Sequence, residues 1–327
     1  MQTRRLGSSD LYLAPVGLGA WAIGGGDNPY GWGPQDDADS IATTRRALDL
    51  GINWIDTAAG YGKGRSEEVV GKAIAGRRQE VIVATKCGIL WKPDGSDLYG
   101  HLKADSIRRE VEDSLRRLNL EVIDLYQIHW PLPDEDIEEG WGTIAELIKE
   151  GKVRYGGVSN FSVAQLKRLQ PIHPIASLQP PYSMLVRDVE KELLSFCAAN
   201  DIGVIVYSPM QAGLLTGKFT QERVASLPED DWRRRSSHFQ EPQLSVNLAL
   251  VEGLRPIAER NGRTLSQLAI AWVLRRPEVT GAIVGARRPS QIEETVAAGA
   301  WTLSKEDIAE IDRLLARRDQ TLRMSSN

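Results

Sequence analysis

The chain has 327 residues, enough for one large α/β domain or two small ones, either with a sizeable core. Hydrophobic residues are 42% and charged residues 26%, the balance of a globular protein. Lys+Arg 40 against Asp+Glu 44 leaves a net charge of -4, which argues against a nucleic-acid or anionic-membrane partner.

Residues 3–6 and 11–13 flank Gly7-Ser8-Ser9-Asp10 and predict a hairpin with a turn of small residues. Residues 16–19 follow as a first core strand, and residues 24–34 as a Gly-rich loop. A repeating unit then sets in. Residues 41–50 read as a helix with Asp36 or Asp39 as cap, and 53–55 as a buried strand. Ser66 reads as the N-cap of a helix over 66–74. Strands are predicted at 80–85, 122–128, 153–158, 176–178, 204–206 and 280–284. Helices are predicted at 104–118, 134–149, 163–169, 189–199, 245–261, 264–275, 289–297 and 305–315. Residues 211–243 form one long irregular stretch and no linker divides the chain, so a single domain over 1–327 is expected. Strict alternation of short apolar strands with amphipathic helices argues for a parallel sheet. Repeated eight times, it argues for a closed (β/α)8 barrel of the TIM type.

The two cysteines, Cys87 and Cys197, are read as reduced thiols of a cytoplasmic protein. The opening stretch MQTRRLGSSDLYL holds no apolar signal-like segment, and no apolar run reaches membrane-spanning length. His101, His129, His173 and His238 are scattered without metal-ligand spacing, so no metal site is expected.

Barrels do chemistry at the C-terminal ends of their strands. Those ends carry Asp56 with Tyr61, Lys86, His129, Ser159-Asn160, Gln179, Tyr207-Ser208 and Gly285-Ala286-Arg287. Each alone has a plain structural explanation, but a full ring of polar groups on that face favours function. A phenol is a poor acid near neutral pH, with a free pKa of about 10. A neighbouring ammonium such as Lys86 favours the phenolate and strengthens Tyr61 as a proton donor. Asp56 would keep that lysine charged, and an imidazole N–H of His129 would polarise a carbonyl oxygen. Such a set protonates a carbonyl oxygen while hydride arrives at carbon. No nucleophile with a paired base is visible.

Three phosphate motifs suggest themselves. Gly17-Leu-Gly19-Ala-Trp21-Ala22 partly matches a dinucleotide fingerprint but runs into a Gly/Pro loop rather than a helix. Gly213-Leu-Leu215-Thr-Gly217-Lys218 is one residue short of a P-loop and lacks its Ser/Thr, although a Gly-rich loop with a lysine can still grip a pyrophosphate. Gly285-Ala-Arg287-Arg-Pro-Ser-Gln291 opens a helix after the last strand, where amides plus an arginine make a good phosphate site.

Together IDTAAGYG, VIVATKCG, IDLYQIHWP, YGGVSNF, SLQPPYS, VIVYSPM and IVGARRPSQIEE resemble the aldo-keto reductase family over nearly the whole chain, in its bacterial and potassium-channel-β-like branch. The resemblance implies a barrel closed at the bottom by the hairpin, an NADP(H) cofactor across the top, and reduction of aldehydes or ketones to alcohols. It implies Asp56, Tyr61, Lys86 and His129 as the catalytic set. It implies that Ser159, Asn160 and Gln179 hold the nicotinamide carboxamide beside Trp21, with Tyr207 stacked on the ring. Ser208, Met210, Gly213, Leu215 and Lys218 would line the pyrophosphate. Gly285, Arg287 and Gln291 would meet the adenosine 2′-phosphate, and Glu294 the adenine. Gly285-Ala286 stands where the better-known pattern has Lys-Ser, and Thr295 where it often has Asn; both bear on the preference for NADPH over NADH. Two rivals stay open: a Schiff-base aldolase on Lys86, and a cofactor-binding regulatory or channel-associated subunit. Trp21, Tyr30, Trp32, Ile89, Trp91 and Trp130 are candidates for the wall of the substrate pocket. The sequence fits a monomer or a homo-oligomer equally.

Overall fold

The computed structural model describes residues 2–26, 29–229 and 231–325. The chain opens with the hairpin: strand β1 (Arg4–Arg5) pairs antiparallel with β2 (Tyr12–Leu13). Its turn is closed by Ser9, whose hydroxyl donates to the Leu6 carbonyl at 2.6 Å. Gly7 sits there at φ +50°, and a Cβ on it would lie 2.5 Å from the Gly203 amide nitrogen, so glycine is required.

The alternation that follows builds in chain order β3 (Val16–Gly19), α1 (Asp37–Asp49), β4 (Trp54–Asp56), α2 (Arg65–Ile74) and β5 (Ile82–Cys87). A small antiparallel hairpin comes next, β6 (Ile89–Trp91) with β7 (Leu98–Gly100). The units α3 (Ala104–Leu118), β8 (Ile123–Ile128), α4 (Ile137–Lys149), β9 (Val153–Ser159), α5 (Val163–Leu169) and β10 (Ser177–Gln179) continue it. Then come α6 (Leu193–Ala199), β11 (Gly203–Val206), α7 (Gln221–Ala225), α8 (Gln243–Arg260), α9 (Leu265–Leu274), β12 (Val279–Gly285), α10 (Pro289–Val296) and α11 (Lys305–Ser325). Strands β3, β4, β5, β8, β9, β10, β11 and β12 close a parallel barrel in that order, β12 returning to β3 with Gly285 opposite Gly19. The (β/α)8 barrel expected from the repeat is the observed fold.

Helix faces follow their periodicity. In α3, Ile107, Val111, Leu115 and Leu118 are buried at spacings of four, four and three, and Asn119 ends the helix in the left-handed conformation at φ +54°. Helix α9 starts at the Thr264 capping box and is buried on every side. Two apolar layers result. One lies between barrel and helices. The other plugs the barrel floor with Leu6, Leu11, Leu13, Trp54, Leu125 and Ile205.

Several expectations are corrected. Asn53 is not in the strand; its amide accepts from the Ala14 amide at 2.8 Å and donates to the Tyr12 carbonyl at 2.7 Å, tying the hairpin to the floor. Ser66 does not cap α2, which begins after left-handed Gly64; its hydroxyl donates to the Ala20 carbonyl at 2.8 Å. Asp36, rather than Asp39, caps α1. The last helix runs ten residues further than periodicity indicates, to Ser325. The described residues of the stretch 211–243 contain α7 and three single turns of 3-10 helix. Hairpin β6–β7 was not foreseen.

Candidate active site

At the end of β4, Asp56 points into the barrel, and so does Lys86 on β5, two residues beyond Ala84, the register partner of Asp56. Lys86 Nζ lies 2.6 Å from Asp56 Oδ1 and 2.8 Å from the Thr57 carbonyl, with both side chains almost wholly buried. The turn after β4 returns Tyr61 over the lysine, so that Nζ donates to the phenol oxygen at 3.3 Å. His129 follows β8, its ring edge-on to Tyr61 at 5.6 Å between centroids. Four residues from the ends of three strands thus meet around one point at the top of the barrel.

Asp56 Oδ2 is held as well, by Gln179 Nε2 at 2.7 Å and Gln127 Nε2 at 3.3 Å. Gln127 is fully buried and was missed by the sequence reading. Ser159 donates its hydroxyl to the Gln179 carbonyl, and Asn160, at φ +66°, bridges the His129 carbonyl and the Tyr207 hydroxyl.

The electrostatics follow from burial and from these contacts. Burial pushes the Tyr61 phenol up, and the Lys86 charge only partly opposes it, so Tyr61 carries its proton at neutral pH. Burial works against the Lys86 charge, but Asp56 and Tyr61 outweigh it and the ammonium stays protonated. Burial and the nearby Lys86 hold His129 well below the usual histidine range, leaving a neutral imidazole. The set can donate a proton from Tyr61 and a hydrogen bond from a neutral imidazole to one oxygen atom.

The cleft above these groups has a volume of about 1180 Å3 and runs from Tyr61 and His129 to Glu294. It is lined by Trp21, Ser159, Asn160, Gln179, Tyr207, Ser208, Met210, Gly213, Lys218, Gly285, Arg287, Gln291 and Glu294, nearly the whole expected set. Ser208, Gln211 and Ala212 adopt positive φ and coil the loop after β11 tightly beside it. Leu215 does not reach the cleft; its side chain is buried in the core and its amide donates to the Met210 carbonyl. Lys218 Nζ spans to Glu294 Oε2 at 3.3 Å. Gln291 turns its amide oxygen back onto the Arg287 and Arg288 amides, at 2.7 and 3.2 Å, and so caps α10. Arg287 lines the cleft while three of its N–H groups are bound to residues 32–35.

The other end of the cleft is aromatic. Trp21 packs on Trp32 at 5.3 Å and on Trp232 at 5.7 Å, while Tyr30 meets Trp91 at 6.2 Å. Trp91 comes from the hairpin and donates to the Gly60 carbonyl at 3.0 Å. Its signal in sequence is the Pro93-Asp94-Gly95 turn between two short apolar runs. Among the described residues no group of three His, Cys, Asp or Glu side chains could hold a metal ion, and no helix is long and apolar enough to cross a membrane.

A model of the aldo/keto reductase family matches residues 15–316. Aldo-keto reductase YhdN of Bacillus subtilis is 41% identical over 318 residues, 96% of this chain and 94% of that protein. The NADH-specific methylglyoxal reductase of Escherichia coli is 38% identical, covering 92% of this chain and 94% of its own length. Among solved structures, the glycerol dehydrogenase AKR11B4 of Gluconobacter oxydans superimposes with a TM-score of 0.88 at 39% identity, over 97% of this chain and 96% of that one.

Proposed function

Since the chain belongs to the aldo/keto reductase family, oxidoreductases that act on carbonyl compounds with nicotinamide cofactors, we propose that it is an NADP(H)-dependent carbonyl reductase in which Tyr61 is the general acid. The observation that carries this reading is the chain of contacts from Asp56 through Lys86 to the Tyr61 hydroxyl, at 2.6 and 3.3 Å. The cofactor, when bound, supplies hydride to the carbonyl carbon. Tyr61 gives its proton to the carbonyl oxygen. Lys86, kept charged by Asp56, steadies the phenolate that remains. His129, neutral, donates to the same oxygen and orients it. In the oxidative direction Tyr61 serves as base. A lysine held charged by a buried carboxylate is a poor Schiff-base nucleophile, which disfavours the aldolase reading.

The donor set fits a dinucleotide. Ser159, Asn160 and the oxygen of Gln179, which line the cleft together, would take the carboxamide, and Tyr207 would lie against the ring, with Trp21 beside it. The coiled loop from Ser208 to Lys218 suits the pyrophosphate: Gly213 turns it at φ +90°, where a Cβ would crowd Phe219 at 3.3 Å, and across the cleft a Cβ on Gly285 would meet nothing within 4 Å, so the backbone there is open to close approach. Arg287 gives three of its five N–H groups to residues 32–35, leaving two for a 2′-phosphate. Gln291 would act there through Arg287, whose amide it fixes, and Glu294 would receive the adenine amino group.

The test is a titration of NADPH and NADH against tryptophan fluorescence, continued into turnover with methylglyoxal and with an activated aromatic aldehyde. We expect NADPH to bind at least about tenfold more tightly than NADH, since a charge-assisted contact is worth about 1.5–3 kcal/mol. Oxidation should follow on adding carbonyl. Equal or tighter binding of NADH would remove the 2′-phosphate role; tight binding with no oxidation would remove the reductase reading. The aromatic rim predicts that the ring-bearing aldehyde has the lower KM.

A further inference from the structure

The expected anchor of the adenosine phosphate is also the clasp of a segment that walls the other end of the cleft. Residues 29–36 run from the aromatic rim back to α1. Arg287 Nε donates to Gln35 Oε1 at 2.6 Å, Nη1 to the Trp32 carbonyl at 3.2 Å, and Nη2 to the Pro34 carbonyl. Gln35 is 7% exposed and answers from its own amide, donating to the Arg287 carbonyl at 3.0 Å and to Ser40 Oγ at 3.1 Å. The backbone of Gln35 is bound in turn by Arg65 Nη2 at 2.8 Å. Farther along, Arg235 holds the Pro29 carbonyl at 2.9 Å, and Tyr30 donates to Asp97 of the β6–β7 hairpin. Trp32 lies between the two anchored ends. It packs on Trp21, and the Arg233 guanidinium sits over it at 5.2 Å from the ring centroid.

A planar guanidinium with donors in a fixed fork satisfies several carbonyls at once, which neither a lysine nor a water does as rigidly. Backbone carbonyls in a segment without secondary structure need such partners to hold one conformation. We propose that Arg287 is a positioning residue for the carbonyl substrate: through Gln35 and the Trp32 and Pro34 carbonyls it fixes the Trp32 wall of the pocket, whether or not the cofactor carries a 2′-phosphate. The proposal rests on the carbonyl reductase reading. It adds that one side chain serves both ends of the cleft, so that changing it alters substrate recognition even where no phosphate is bound.

The discriminating experiment uses NADH as hydride donor, because NADH has no 2′-phosphate for Arg287 to meet. In Arg287→Ala, the KM for an aromatic aldehyde with NADH should rise about tenfold or more. The NADH Kd should stay within about twofold, and kcat at saturating aldehyde within about threefold, the pattern of lost ground-state positioning. Gln35→Ala removes a partner of Arg287 but no group proposed to touch the cofactor itself, and should raise the same KM with either nucleotide, by a smaller factor. An unchanged aldehyde KM in both variants overturns the proposal. A wild type that oxidises neither nucleotide would instead mean that the reductase reading has failed. Acrylamide quenching of the part of the emission lost in Trp32→Phe then reads the wall directly. That part should become more accessible in Arg287→Ala, and unchanged quenching counts against the clasp.

Discussion

The two ends of the barrel interior are built from the same strands and do opposite things. Inward-facing residues recur every second position along a strand. On β4 the lower inward residue is Trp54 and the next is Asp56; on β5 they are Ala84 and Lys86; on β8, Leu125 and Gln127. Between β10 and β12 the floor has Ile205 and Ile283, and the upper rim has Gln179, Tyr207 and Gly285. One step along each strand, about 7 Å, takes the interior from dry packing to a linked set of charges and amides. The floor holds its shape chiefly by packing volume, as Trp54 fills the space that Gly17 and Gly281 leave, with its indole N–H donating to the Ala14 carbonyl at 2.8 Å. The rim holds its shape by polar contacts that must all be satisfied together. Stability and reactivity therefore sit two residues apart without interfering.

The largest expected effect comes from breaking the rim. Lys86→Met leaves the Asp56 carboxylate buried with amide partners alone, and should cost about 3–5 kcal/mol in urea unfolding. A loss below about 1 kcal/mol would place the pair with exposed ion pairs, whose contribution is small. Breaking the floor should cost less. A Cβ on Gly17 would stand 2.1 Å from Trp54 Cε2, so Gly17→Ala should destabilise by about 1–3 kcal/mol through overpacking. Its kcat, measured well below the unfolding midpoint, should match the parent. A matching fall in kcat would mean that the two ends are mechanically coupled, against the separation drawn here.

Much of this was legible beforehand because barrel and site are both written in local pattern. Short apolar strands between amphipathic helices fix the repeat, and polar residues at the strand ends mark the face that holds Asp56, Lys86 and His129. The parts that escaped depend on contacts that local pattern does not encode. Gln127 sits in a run that reads as an ordinary core strand, and only the arrival of Asp56 from β4 gives its amide a purpose. Gln35 meets Arg287 across 252 positions, with no periodicity between them. Ser66 has the right residue type for a cap, yet the Ala20 carbonyl claims its hydroxyl. The hairpin β6–β7 had a usable signal in its Pro-Asp-Gly turn, hidden by strands of three residues each.

The proposed mechanism turns on Tyr61 as the proton donor, and the most direct measurement is a single-turnover reduction of an activated aromatic aldehyde by NADPH-saturated wild type and Tyr61→Phe, across pH. Burial holds the wild-type phenol above its ordinary value of 10.0, so the wild-type rate should stay level through neutral pH and fall only where the phenol ionises. Tyr61→Phe should be slower by about 10²–10⁴ and lose that alkaline fall, with NADPH affinity unchanged. A variant that turns over at the wild-type rate, or keeps the same alkaline fall, would contradict the assignment.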